Sequence, residues 1–401
     1  MKGSTKARAE EVARASYGRL LAILASHDHD IAAAEDALAE AFAKALEHWP
    51  LRGIPNNPEG WLITAARRGR IDAARKHART KPLEQHADYM ARSDQHDEIP
   101  DERLSLMLVC AHPALSSAIH APLMLQCVLG LSSERIALAF QTRPSTMAQR
   151  LVRAKSKIRD AGITFERPDR DALPDRISTV LEATYAAYSI DWMLFPDGRD
   201  LSREALFLAD LVAHLSPETP EALGLSALIS FLSARQDARL KDGMLVPLDE
   251  QNIGLWDHRM IDHANRILAN ASVARQLGRF QLEASIQAVH AARATTGTTD
   301  WEAVAQLYTG LNALFPTLGS RIGQAAAIAQ ARCAKDGLAL LDQLPTRQVA
   351  NFQPYWATRA QLLRDDAPQQ AKPCYDKAIA LCTEPPLRRW LEAQAATLKL
   401  H

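Results

Sequence analysis

The sequence predicts an all-α protein, and three observations carry that expectation. Apolar residues make up 47% of the 401-residue chain but aromatics only 6%, so its interior must be built largely from Ala and Leu, which favour helix over strand. Apolar positions recur at helical rather than alternating spacing in most blocks. Gly is sparse and, with Pro, sits mainly where those blocks end. A chain of this length exceeds what one hydrophobic core normally serves, so two or three domains are expected.

The first helical block runs from about Ala9 to Trp49, its inward stripe formed by Ile31, Leu38, Phe42 and Leu46. It closes at WPLRGIPNNPEG, where Pro50, Gly53, Pro55 and Pro58 forbid continued helix. A second block starts at Glu59 or Trp61 and reaches about Arg79, with Leu62, Ala65, Ala66 and Ile71 facing inward. The polar, aperiodic stretch TKPLEQHADYMARSDQHDEIPDE then reads as an interdomain linker. Helical patterning resumes from Arg103 to Ala161, and GITFERPDRDALPD breaks it again at 162–175. Beyond that break, helical stretches recur about every 34 residues, placing Tyr308, Leu341 and Tyr375 in equivalent positions, each followed three residues later by Leu311, Leu344 or Ala378. That period is the tetratricopeptide signature in degenerate form.

Net charge is zero, with 47 basic and 47 acidic residues, yet the charges are segregated. From Arg143 to Arg159 there are six cations and no acid. Met147, Leu151, Ala154 and Ile158 give this segment an apolar stripe, so the cations share the opposite face. LSSERIALAF precedes it across the short connection QTR, Thr142 or Arg143 caps it, and Pro144 occupies its first turn. Two short helices so joined form a helix-turn-helix, with Ser145, Thr146, Gln149 and Arg150 placed to face bases and Arg143, Arg153, Lys155 and Lys157 to meet phosphates. A solvated basic face on a structural helix is the plainer alternative.

A second cationic run, Trp61 to Arg79, carries Arg67, Arg68, Arg70, Arg75, Lys76 and Arg79 against the single acid Asp72. Its cationic face suits a phosphate backbone, while Trp61 and Thr64 near its start suit unpaired bases. On this segment alone, Trp61 reads rather as a core Trp that anchors the helix. In contrast, Asp28, Asp30, Glu35, Asp36, Glu40 and Glu47 decorate the preceding helix, a surface that repels DNA and suits a basic protein partner.

Several classes are excluded. Cys110, Cys127, Cys333, Cys374 and Cys382 form no CxxC pair and no ligand spacing with His, so neither zinc nor a disulfide framework is supported, and buried thiols in a reducing cytoplasm fit better. The amino-terminal MKGSTKARAEEVARA has no apolar core, and no run approaches the roughly 18 apolar residues of a membrane span. A cytoplasmic protein with no membrane contact is expected. SHDHDI (His27 to Ile31), His258 and His263 lack supporting ligands, so no metal, cofactor or enzymatic activity is expected.

The order of these parts resembles the RNA polymerase sigma factors of the extracytoplasmic-function type. AEDALAEAF (Ala34 to Phe42) is similar to the polymerase-clamp-binding helix, NPEGWLITAARRGRIDAARKHAR (Asn57 to Arg79) to the promoter-melting and −10-element segment, and His112 to Gly162 to the −35-reading domain. DERLSLMLVCAHPAL and STMAQRLVRAKSKIRDAGI resemble the subgroup with a long tetratricopeptide-like carboxy-terminal extension, whose landmarks correspond to IGLWDHRMIDHA and TTDWEAVAQLY.

The resemblance implies a sigma-2-like bundle over residues 8–80, a linker over 81–102, a sigma-4-like helix-turn-helix domain over 103–165 and a helical extension over 175–401, tetratricopeptide-like from about 281. It implies that Asp36, Glu40 and Phe42 bind core RNA polymerase and that Trp61, Thr64, Arg67, Arg68, Arg75, Lys76 and Arg79 open and hold the −10 region. The −35 element falls to Arg143, Ser145, Thr146, Gln149, Arg150, Arg153, Lys155 and Lys157. The extension is expected to engage a regulatory protein or another part of the chain. Two rival readings remain: a helix-turn-helix regulator acting without polymerase, and a tetratricopeptide-type scaffold whose basic segments bind an acidic partner.

Overall fold

The computed structural model describes residues 16–27, 29–78, 101–140, 142–166, 168, 172–194 and 201–399. It is helical nearly throughout and divides into two compact units, Met1–Ala187 and Tyr188–His401.

In the first unit α1 covers residues 16–27, followed by α2 (Ile31–Arg52) and α3 (Pro58–Ala78). The single block expected from Ala9 to Trp49 is therefore interrupted. His29 takes a left-handed conformation, φ 55°. Asp30 is extended and its carboxylate accepts from the Ala33 amide at 3.1 Å, so a side-chain cap starts a new helix where periodicity alone runs on. Helix α2 passes through Pro50 and ends at Gly53, whose φ of 85° suits glycine. Its buried stripe is Ile31, Ala34, Ala37, Leu38, Ala41, Ala45 and Trp49. This corrects the expected stripe: Leu46 is 48% exposed and Phe42 half-buried. The small alanines face inward, where they let neighbouring helices approach.

Asn57 caps α3 by accepting from the Gly60 amide at 2.9 Å. Glu59 ties it to α1, accepting from the Ser16 hydroxyl and, at 3.3 Å, from Arg19. Four more helices follow: α4 (Arg103–Cys110), α5 (Ser117–Leu129), α6 (Ser133–Ala139) and α7 (Pro144–Asp160). The described residues 162–166, 168 and 172 are not helical, and α8 (Leu173–Leu194) follows. Arg176 donates to the Leu108 carbonyl of α4, which holds the start of α8 in the first unit. The division at 187/188 consequently lies inside α8, later than the break at 162–175.

In the second unit α10 (Pro220–Ser233) is almost wholly buried and packs against α9 (Leu201–Leu215), α11 (His258–Val273) and α12 (Arg279–Thr296). Glu221 accepts from the Phe280 and Gln281 amides at 2.8 and 3.1 Å, a carboxylate on the positive end of α12. Gly224 permits this approach, since a Cβ there would lie 2.8 Å from the Gln281 nitrogen. The landmark IGLWDHRMIDHA serves the core: the guanidinium groups of Arg293 and Arg235 lie 5.1 and 6.0 Å from the centre of the buried Trp256 ring. Burial lowers the Arg235 pKa to about 10.

The hairpin β1 (Leu240–Lys241) and β2 (Met244–Leu245) turns at Asp242 and Gly243, both left-handed. Then follow α13 (Trp301–Leu314), α14 (Leu318–Ala331), α15 (Ala334–Asp342), the short α16 (Thr346–Val349), α17 (Gln353–Leu363), α18 (Pro368–Leu381) and α19 (Pro385–Ala396). Tyr308, Leu341 and Tyr375 fall on α13, α15 and α18. Helix α13 packs on α14, α14 on α15, α17 on α18 and α18 on α19. Arg389 of α19 donates to the Gly243 carbonyl at 3.1 Å, so the last helix returns to the hairpin near the start of the unit.

Among the described residues no helix is long and apolar enough to cross a membrane, and no group of His, Cys, Asp or Glu is arranged to hold a metal ion. His27, His258 and His263 are exposed.

Candidate nucleic-acid interface

Helix α7 is positioned from both sides. Ser132 caps α6, accepting from the Arg135 amide at 3.3 Å. Arg143 is extended at the start of α7 and Pro144 fills its first turn, where a missing N–H costs nothing. Met147, Leu151, Ala154 and Ile158 are buried, as the periodicity requires. Arg143, Ser145, Gln149, Arg150 and Arg153 are exposed and Thr146 half-exposed. The Arg153 Nε lies 3.3 Å from the Gln149 carbonyl, which holds its guanidinium along the outer face.

Two of the expected phosphate contacts are placed differently. Lys157 is exposed, but its ammonium donates to the Ala114 carbonyl. Lys155 is only 8% exposed, and its ammonium lies 2.5 and 2.6 Å from the two carboxylate oxygens of Glu35 on α2. In this conformation Lys155 faces protein. The local pattern places it one position past the stripe, and the reason it turns inward is the carboxylate that meets it from 120 residues away. Desolvation raises the Glu35 pKa, with Lys155 opposing the shift.

On α3, Leu62, Ile63 and Ala66 are buried while Thr64, Arg67 and Arg68 are exposed. The Thr64 hydroxyl donates to the Gly60 carbonyl at 2.9 Å, and Arg70 reaches the Leu24 carbonyl at 3.4 Å. Arg75 and Lys76 lie on the helical backbone of α3, but their side chains, like Arg79 and nearly all of the expected 81–102 linker, fall outside the described residues. Trp61 is half-buried and meets Trp49 edge to face, with ring centroids 5.6 Å apart. His48, Trp49, Arg52, Gly53, Ile54, Pro55 and Trp61 line an open cavity of about 360 Å³ at this corner. Sequence reasoning treated Trp49 only as the end of a helix; the signal available was the recurrence of Trp on both sides of the Pro/Gly-rich turn.

The acidic residues Asp36 and Glu40 stand one helical turn apart on the exposed face of α2, while Phe42, half-buried, falls on a different side of that helix. Gly69 of α3 leaves room for this face, since a Cβ there would come within 3.2 Å of the Glu40 carboxylate.

Comparison with known proteins agrees with the amino-terminal part of this arrangement. Residues 12–80 match the family model described as sigma-70 region 2, and residues 176–272 match a family of unknown function (DUF6596). The uncharacterized protein R00370 of Rhizobium meliloti (strain 1021) is 33% identical over 365 residues, covering 87% of this chain and 86% of that protein. No solved structure matches the chain. The identity and its coverage show that the chain belongs to the same family as the Rhizobium meliloti protein, and its sigma-70 region 2 supports a sigma-70 family factor that binds RNA polymerase.

Proposed function

We propose that the protein is an alternative sigma factor of the extracytoplasmic-function type that directs core RNA polymerase to particular promoters, with the second unit modulating its activity. The observation that carries this reading is the exposed row Ser145, Gln149, Arg150 and Arg153 on the second helix of a helix-turn-helix, in a chain that also holds a sigma-70 region 2. Arg and Gln are side chains that pair bidentately with guanine and adenine edges in the major groove, while the flanking arginines supply sequence-independent affinity.

Region 2 completes the task. Thr64, Arg67 and Arg68 form a polar and cationic exposed edge on α3, suited to a phosphate backbone. The half-buried Trp61, packed on the buried Trp49, offers aromatic surface beside a cavity of about 360 Å³, within the roughly 300–1,000 Å³ range of small-molecule sites. A base rotated out of the duplex finds a stacking surface there, which lowers the cost of strand opening. Asp36 and Glu40 are the candidate polymerase contacts. No bond is made or broken by the protein itself. The stacked helices α13 to α19 suit a tetratricopeptide-like interaction module for a regulatory protein or another part of the chain.

Run-off transcription with core polymerase on a promoter library tests the proposal. Polymerase-dependent transcripts sharing an upstream element, altered by Gln149→Ala or Arg150→Ala, are expected. DNA binding without polymerase association would instead identify a regulator of another kind, and binding equal to that of any polyanion would identify a scaffold.

A further inference from the structure

In the second unit, arginines gather around one buried ring. Arg235, just past α10, is 4% exposed, and the Trp256 ring it approaches is 3% exposed. Arg293 of α12 approaches the same ring, and Arg239 adds its charge to Arg235 from nearby. No carboxylate among the described residues pairs with Arg235 or Arg293. Arg293 donates to the main-chain carbonyls of Leu248, Asp249 and Gln251, while Arg235 gives Nε to the Phe231 carbonyl at 3.3 Å and Nη2 to the Gln287 side chain. Neutral acceptors stabilise a buried cation less than a counter-ion does.

Two further polar groups stand in the same place. The Trp256 indole N–H and the Nδ1 of His290, which is 7% exposed, are buried without a hydrogen-bond partner among the described residues. Burial, with Arg235 and Arg293 adding to it, keeps the His290 imidazole uncharged, so its Nδ1 donates in one tautomer. Buried donors of this kind call for an acceptor. Trp256 reaches the group on the 246–257 connection between the hairpin and α11, a stretch with two single 3-10 turns that the three Arg293 bonds fasten to α12.

We propose that Arg235, Trp256 and His290 form a binding site for the carboxylate of a small molecule, which makes the second unit responsive to a ligand. The chemistry matches in charge and in number. A carboxylate brings one negative charge to the guanidinium and two oxygens that accept in the plane of its fork, with the indole and imidazole as further donors. A phosphate brings up to two charges and three acceptor oxygens, more than these three side chains answer. The near closure of Arg235 and Trp256 to solvent favours a small solute over the surface of a folded partner. It enters when the 246–257 connection lifts from Arg293, a local opening and not an unfolding.

The test is hydrogen exchange of the full-length chain, read by peptide mass spectrometry, in sodium acetate against sodium chloride at the same ionic strength and pH. A ligand that binds only the closed form suppresses local opening by the factor 1 + [L]/Kd, so acetate at twice its dissociation constant is expected to slow exchange about threefold in residues 251–257 and 287–293. The slowing should grow with acetate concentration and be smaller with inorganic phosphate. Arg235→Gln is expected to abolish it with helical circular dichroism preserved, whereas Arg259→Ala, at an exposed position of α11, should keep it. Exchange equal in acetate and chloride at every concentration, or slowing retained in Arg235→Gln, overturns the site, and greater slowing by phosphate overturns the carboxylate assignment. If Arg235→Gln loses helix, Trp256→Phe keeps a ring and removes the N–H, and undiminished slowing in that variant overturns the site instead. Neither polymerase nor DNA is present, so the result leaves the sigma reading to its own test.

Discussion

Replacing Arg153 with alanine separates a DNA-facing cation from a decorative one. Arg143, Arg150 and Arg153 are exposed arginines of α7 and its cap, while the exposed Arg159 pairs with Asp160 at 3.1 Å, Lys155 is held by Glu35 and Lys157 by a backbone carbonyl. If each arginine neutralises one phosphate, log K against log salt falls with a slope of about −2.7, and raising salt from about 50 to 200 mM weakens binding about 40-fold. Arg153→Ala removes one contact, so the slope becomes about −1.8 and the same rise in salt costs only about 12-fold. Fluorescence anisotropy on a duplex carrying the selected upstream element measures both numbers. Arg259→Ala, at an exposed position on α11 in the second unit, is the matched control and should leave the slope unchanged. An unaltered slope in Arg153→Ala, or an equal change in Arg259→Ala, refutes the assignment of the α7 face to phosphate.

Three further outcomes are expected. Asp36→Lys combined with Glu40→Lys should abolish polymerase pull-down with helical content preserved, since exposed charges affect encounter far more than folding; normal pull-down contradicts the acidic-face contact. Arg67→Ala should slow open-complex formation on duplex promoters yet spare a template whose −10 region is already unpaired, and equal defects on both would indicate a general docking role. Burial depresses the His290 pKa from 6.5 to about 4, with Arg235 and Arg293 adding to the shift, so the unfolded chain takes up this proton first as pH falls. The stability associated with neutral His290 is complete above the unfolded value and declines as pH drops toward the folded one, by about 2 kcal/mol between pH 7 and pH 5. Urea unfolding of His290→Gln should lose that part of the pH dependence; an unchanged profile would show that His290 is not its source.

Much of the site was legible because its signals are local. The apolar stripe of Met147, Leu151, Ala154 and Ile158 repeats within a few turns, the helix-turn-helix boundary is written in Ser132, Arg143 and Pro144, and charge runs advertise solvated faces. Any property set by one helix's own periodicity or caps is read from neighbouring residues. The interruption at His29 and Asp30 belongs to the same class, since an Asp cap leaves a local trace.

The tertiary structure alone decided which cations stay free, which apolar residues find cover, and where distant segments meet. Lys155 and Lys157 are indistinguishable by local pattern, yet one is buried on Glu35 and the other lies exposed, donating to Ala114. Leu46 has the spacing of a core residue but finds no apolar surface opposite it, whereas Ala45 and Trp49 do. Trp61 meets Trp49 across a turn, and Arg389 reaches Gly243 across 146 residues. The amino-acid order determines how each helix is patterned and where it begins and ends. Burial and ion pairing are properties of two surfaces in contact, and the second surface comes from chain positions that no local pattern names.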